Sequence, residues 1–197
     1  MGTTHYNDRI DLDQLRGRTP LQLDLDGRRA AVLIPLIERE DGIELLLTKR
    51  SEELNHHPGQ MSFPGGGREP QDSDMLETAL REGNEEIGLP PERVRPIGVL
   101  DDIQTVSDYV VTPFVAWIPD RTYGPTDDEV DAVVRASIGS FLDPGIHEVE
   151  ERPRSAARPR YVHYFHLDEC TVWGATGRLI VQLLELTTDW RADSPVR

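Results

Sequence analysis

Between the glycine run Gly65-Gly66-Gly67 and the Gly88-Leu89-Pro90 stop lies the stretch that most limits how this chain can fold. From about Asp74 to Ile87 its pattern is helical, and Gly88 and Pro90 supply the stop. At about 100° per residue, Leu76, Ala79, Leu80, Gly83 and Ile87 fall in one apolar stripe, expected to face the core. Glu82, Glu85 and Glu86 share an arc of about 100° on the far side. Like charges four residues apart on a helix cost roughly 0.2–0.5 kcal/mol, and Arg81, four residues before Glu85, is placed to offset part of that. A surplus of carboxylates fixed on a rigid helix suits hard divalent cations, which take oxygen ligands and bridge to phosphates.

In a chain with 36 Asp and Glu, the competing reading is a plain solvated acidic face. Two features weigh against it. Gly83 sits inside the helix on its apolar side at a cost of roughly 1 kcal/mol against alanine, which predicts close packing against another backbone. The helix is also entered from a glycine-rich loop, an arrangement that presents backbone N–H groups to phosphate.

The rest of the chain reads as one mixed α/β domain of 197 residues. A polar N-terminal extension (1–28) is expected to be flexible or loosely packed, a domain spans 29–190, and 191–197 form a tail. Strands are expected over 29–37 and 43–49, joined by an Asp41-Gly42 hairpin turn, and again over 94–104, 109–118 and 161–167. Residues 127–137 read as a short helix, 144–160 as a surface loop, and 171–186 as an amphipathic helix. A net charge of −15 argues against a nucleic-acid binder. No apolar run approaches the roughly 20 residues that cross a bilayer, and Met1–Arg18 has no apolar signal segment, so a cytoplasmic protein away from membranes is expected. The single cysteine, Cys170, reads as a small buried or half-buried side chain, and His163 and His166 as packing or surface residues.

Arg81-Glu-Gly-Asn-Glu-Glu-Ile-Gly-Leu89 resembles the closing half of the Nudix box, R-E-U-x-E-E-x-G-U, at every fixed position. Gly83 takes the place of the usual apolar residue, and Ser73 falls where the general box carries a glutamate. Upstream, the segment from Leu46 to Gly66 is similar to the signature of the coenzyme A pyrophosphatase subgroup, L-L-T-x-R-S-x-x-L-x-x-H-x-G-Q-x-x-F-P-G-G. That subgroup has one residue more between the second glycine and the helix arginine, as Gly66 to Arg81 has here, with acids at Glu69 and Asp72. Val172-Trp-Gly-Ala-Thr-Gly177 resembles the subgroup's C-terminal W-G-x-T-A segment.

The resemblance implies an α/β/α sandwich with a mixed sheet and a loop-helix-loop catalytic motif. It further implies Mg²⁺- or Mn²⁺-dependent hydrolysis of the diphosphate of coenzyme A or its derivatives, giving 3′,5′-ADP and a 4′-phosphopantetheine species. Glu82, Glu85 and Glu86 would be the metal ligands, Arg81 would orient them, and Gly65 and Gly66 would bring the loop backbone close to the site. The general base stays open between Glu82 and Glu129, the latter more readily read as an acid at a helix N-terminus. Lys49, Arg50, His57, Gln60 and Phe63 are the candidates for contact with the substrate. Two other readings remain open: a Nudix hydrolase for another nucleoside diphosphate derivative such as ADP-ribose or NADH, and a Nudix-fold binding module without catalysis. By analogy with the family, a homodimer is possible.

Overall fold

The computed structural model describes residues 10–54, 57–153 and 161–193. Its centre is a forked hairpin. The strands β1 (Arg28–Arg39) and β2 (Gly42–Arg50) pair antiparallel only next to their turn, Leu36–Arg39 against Gly42–Leu45. Beyond that point they diverge, and the connection after β2 fills the gap. Its first piece, β3 (Met61–Ser62), pairs with β2 at Thr48 and Lys49. Its second, β4 (Gly65–Gly67), pairs with β1 from Ala30 to Val32. The outer edge of β1 carries the parallel strand β7 (Tyr109–Trp117), which in turn pairs with β5 (Arg95–Val99) and β6 (Ile103–Gln104). The outer edge of β2 carries β8 (Val130–Ser137). A separate small sheet joins β9 (His147–Glu151), β10 (Tyr161–His166) and β11 (Thr171–Trp173).

Alternation along β1 divides the core in two, as side chains of a strand must. Ile34 and Leu36 face α2 (Gly174–Thr187), packing with Leu179, Ile180, Leu183 and Leu184. Ala31, Leu33 and Ile37 face α1 (Met75–Ile87), packing with Ala79, Ile87 and Leu89. The architecture is therefore α/β, a mixed sheet between helices, as expected for the Nudix fold.

Several local expectations change. Residues 127–137 do not form a helix: Val130, Val133 and Val134 are β-branched, and the bare edge of β2 offers them a full ladder of hydrogen bonds. The expected strand over 94–104 is two strands, β5 and β6, with a break at 100–102 where the Asp102 amide donates to the Leu21 carbonyl at 2.9 Å instead of to β7. Thr171–Trp173 is a strand, and α2 starts only at Gly174, whose φ of +68° breaks the extended run. Part of the expected loop 144–160 is β9, and 154–160 lie outside the described residues. The lead-in is not loose where it is described: Leu15, in a 3₁₀ turn over Leu12–Leu15, is 1% exposed, and the Asp11 amide donates to the Thr187 carbonyl at 2.7 Å. Among the described residues no helix is long and apolar enough to cross a membrane.

Candidate functional site

Helix α1 is fixed at both ends. Asp74 caps its start, accepting from the Glu77 amide at 2.8 Å, and Gly88 ends it in the left-handed conformation at φ +64°. The helix rotates differently from the expected stripe. Leu76 and Leu80 are only half-buried, while Thr78, Ala79, Gly83, Glu86 and Ile87 are buried. Gly83 makes room for side chains, with a Cβ there falling 3.3 Å from Leu89 and 4.0 Å from Leu33, so the expected backbone neighbour is absent.

This rotation separates the three glutamates. Glu85 is exposed, Glu82 is half-buried, and Glu86 is 3% exposed against the fork of the sheet. The amide of Gly65 donates to Glu86 Oε2 at 3.3 Å. Burial, reinforced by the neighbouring charge of Glu82, pushes the Glu86 carboxyl up to about 8. Burial also raises Glu82. The two glycines have distinct duties here. A Cβ on Gly65, at φ +156°, would run into the Ala31 carbonyl of β1, and a Cβ on Gly66 would lie 2.5 Å from Glu82 Oε1. Gly65 lets the strand enter the fork, and Gly66 leaves space for the carboxylate.

Arg81 is the clamp of the site. Its Nε and Nη2 donate to the two carboxylate oxygens of Asp72 at 3.0 and 3.2 Å, and Nη2 also donates to the Gly67 carbonyl at 2.9 Å. Its Nη1 reaches Glu85 at 2.8 Å and Glu82 at 3.0 Å. Asp72 is buried, receives Thr78 Oγ1 and the Glu69 amide, each at 2.9 Å, and is held down at about 2, chiefly by Arg81. Ser73 thus leaves no gap, because the carboxylate that braces the arginine comes from the residue before it. The sequence signal for Asp72 was the longer loop itself.

The segment before β8 closes the other side. The Thr126 amide donates to the Glu86 carbonyl at 3.0 Å, its hydroxyl donates to the Glu85 carbonyl, and the charge of Asp127 is felt at Glu86. Glu129 stands in the turn leading into β8 rather than at a helix start, so the dipole explanation for it falls. Its carboxylate pairs with Arg50 at 3.8 Å and its charge is felt at Glu82. Asp127 carried no motif in the sequence, since only the folded strand brings it here.

Of the remaining candidates, Lys49 pairs with Glu52 at 3.1 Å, and His57, exposed at φ +56°, has Nδ1 3.1 Å from Gln60 Oε1. The Arg50 amide donates to the Gln60 carbonyl at 3.0 Å, folding this loop back over the end of β2. Phe63 is a correction: at 3% exposure it is a core residue and offers no surface to a ligand. Cys170 is half-buried, as expected.

A cation fits this donor set only in part as it stands. The donors are hard carboxylate oxygens in negative surroundings: the charges of Glu82 and Asp127 act on Glu86 and outweigh that of Arg50. Arg81 meanwhile occupies Glu82 and Glu85, and among the described residues no three acidic, histidine or cysteine side chains converge as a ready cage. That suits an ion that keeps several waters and takes further oxygens from a phosphate.

A NUDIX domain model matches residues 27–169 of the chain. The chain is 40% identical over 165 residues, 81% of it and 82% of the relative, to a protein of Enterobacter sp. (strain 638) described as an uncharacterized Nudix hydrolase NudL. It is 38% identical over 190 residues, 90% and 95% of the two chains, to a protein of Cronobacter sakazakii with the same description. Among solved structures, a MutT/nudix family protein from Enterococcus faecalis matches with a TM-score of 0.55 at 14% identity, covering 84% of this chain and 63% of that one, which shows a common fold.

Proposed function

We infer that this chain, which belongs to the Nudix family and is a pyrophosphohydrolase, hydrolyses the diphosphate of coenzyme A or its derivatives. The observation that carries the site is the meeting of α1 with the glycine strand: Gly65 donates to Glu86, and Gly66 makes room for Glu82. The coenzyme A reading is supported by the Leu46–Gly66 segment, which lies beside those acids as the end of β2, the returning loop and the wedge in the fork.

Water attacks one phosphorus, the bond from that phosphorus to the bridging oxygen breaks, and 3′,5′-ADP and a 4′-phosphopantetheine species leave. Glu82, Glu85 and Glu86 would hold Mg²⁺ or Mn²⁺, which when bound neutralises phosphate oxygens and makes water a better nucleophile. Arg81 acts on Glu82 and Glu85 and not on substrate, since Asp72 fixes its guanidinium from behind. The proton of the attacking water goes to Glu82 or Glu129. Lys49 and Arg50, at the end of β2, would offer positive charge to the substrate from the side of the returning loop.

Incubation with coenzyme A, ADP-ribose, NADH and nucleoside triphosphates, with Mg²⁺ or Mn²⁺ and with EDTA, tests the reading by product identification. Metal-dependent release of 3′,5′-ADP is expected. Turnover of ADP-ribose alone would overturn the substrate, and no turnover of any compound would overturn the enzyme.

A further inference from the structure

We propose that Arg178 and His163, under the first turns of α2, form a pocket for a phosphate-type oxyanion, carried by the substrate as a phosphate monoester or arriving as free phosphate. Arg178 belongs to the opening of α2. Its Nε is buried without a hydrogen-bond partner among the described residues, while the residue as a whole is half-buried. A buried guanidinium N–H left without an acceptor carries a cost that an oxyanion would relieve. Burial alone pulls the Arg178 pKa below its ordinary value.

His163 supplies the second group. It is 1% exposed and lies on the same side of β10 as Phe165, the side packed on α2. Its Nδ1 is 3.1 Å from His147 Nε2 of β9, and its Nε2 has no partner. The two nitrogens of an imidazole point to opposite sides of the ring, so Nε2 faces away from β9. When His147 donates to Nδ1, His163 Nε2 carries the hydrogen, and both orphaned atoms are donors. The Arg178 charge is felt at His163, which places the two groups in one neighbourhood. Gly177 holds the helix against this strand, since a Cβ there would lie 2.6 Å from the His163 carbonyl oxygen.

The surroundings favour an anion. Trp173 gives α2 no side-chain cap, and the positive end of the helix dipole lies at this turn. The pocket is also tied to the candidate site. Thr176 Oγ1 donates to the Met61 carbonyl at 3.1 Å, and Met61 is four residues before Gly65, at most about 14 Å of extended chain. A substrate with its diphosphate at the acids has a second phosphate within reach of α2.

Two measurements on the full chain test this, and only the substrate arm rests on the coenzyme A reading. In EDTA the acidic site repels anions, so thermal melting with inorganic phosphate reports on other sites. Phosphate is expected to raise the Tm of the wild type and leave that of Arg178→Gln unmoved. In phosphate-free buffer the variant is expected to be no less stable, an outcome that a merely structural arginine would not give. In the second measurement, kcat/KM is compared for coenzyme A and its 3′-dephospho form. A loss of tenfold or more on coenzyme A alone in Arg178→Gln assigns the anion to the substrate. An unchanged ratio with the phosphate shift intact assigns it to free phosphate. No phosphate shift in the wild type together with an unchanged ratio would overturn the pocket. Should Arg178→Gln not fold, His163→Phe, which fills the volume and removes the donor, is judged by the same outcomes. Failure of the wild type to cleave either compound would overturn the substrate reading and leave the phosphate melt to decide the pocket.

Discussion

Glu86 is a carboxylic acid kept out of water beside another acid, and its raised pKa of about 8 has a directional consequence. Below that value the metal-free protein holds a proton on Glu86, and a divalent cation must displace it. Metal affinity should therefore rise between pH 6 and 8 with release of a proton, as titration in weakly buffered indicator would measure; affinity independent of pH would contradict the placement. Gly66→Ala puts a methyl group 2.5 Å from Glu82 Oε1, so activity should fall by at least about tenfold while the circular dichroism spectrum is kept. Asp72 is the opposite kind of acid. Its native pKa of about 2 lies below its unfolded value of 3.8, so the unfolded state binds more protons between them. The stabilisation, about 2 kcal/mol, is full above the unfolded pKa and lost as pH falls through the native one. Asp72→Asn leaves Arg81 unpaired, and denaturant melts at pH 7 should show a loss of roughly 3 kcal/mol.

At the scale of elements, α1 is legible because every local signal agrees: Asp74 as cap, the 3.6-residue apolar rhythm, Gly88 as stop. Asp74→Ala should cost about 1 kcal/mol in a thermal melt and leave kcat unchanged. The helix's rotation is less legible, because Leu76 and Leu80 look more apolar than Glu86 and yet stay nearer the surface. What turns Glu86 inward is the glycine strand in the fork, whose amide meets the carboxylate. Pairing of β3 with β2 and of β4 with β1 is tertiary information that two- and three-residue strands cannot announce. The same holds for β8, whose charged and apolar residues follow no clear period of two and which is a strand because β2 has an edge to offer.

Across the whole molecule, the residues around α1 come from two stretches: the continuous run from the glycine strand through Asp72 into the helix itself, and 126–129. The helix glutamates and Arg81 are contiguous, so the sequence shows them together. Asp127 and the exact setting of Glu129 depend on where β8 lies, and no local pattern carries that. The lead-in contributes too: Leu15 is sealed against β5, where a Cβ on Gly98 would lie 2.5 Å from its carbonyl oxygen, so Leu15→Ala should cost about 2–5 kcal/mol in a denaturant melt. The central claim joins the acid helix to one substrate, and product analysis by mass spectrometry for the wild type and Glu86→Gln, with coenzyme A and Mg²⁺ or Mn²⁺, tests it most directly. The wild type should release 3′,5′-ADP and 4′-phosphopantetheine, and the variant, equally folded, should do so orders of magnitude more slowly. Near-normal release by the variant, or none by the wild type while ADP-ribose is cleaved, would contradict it.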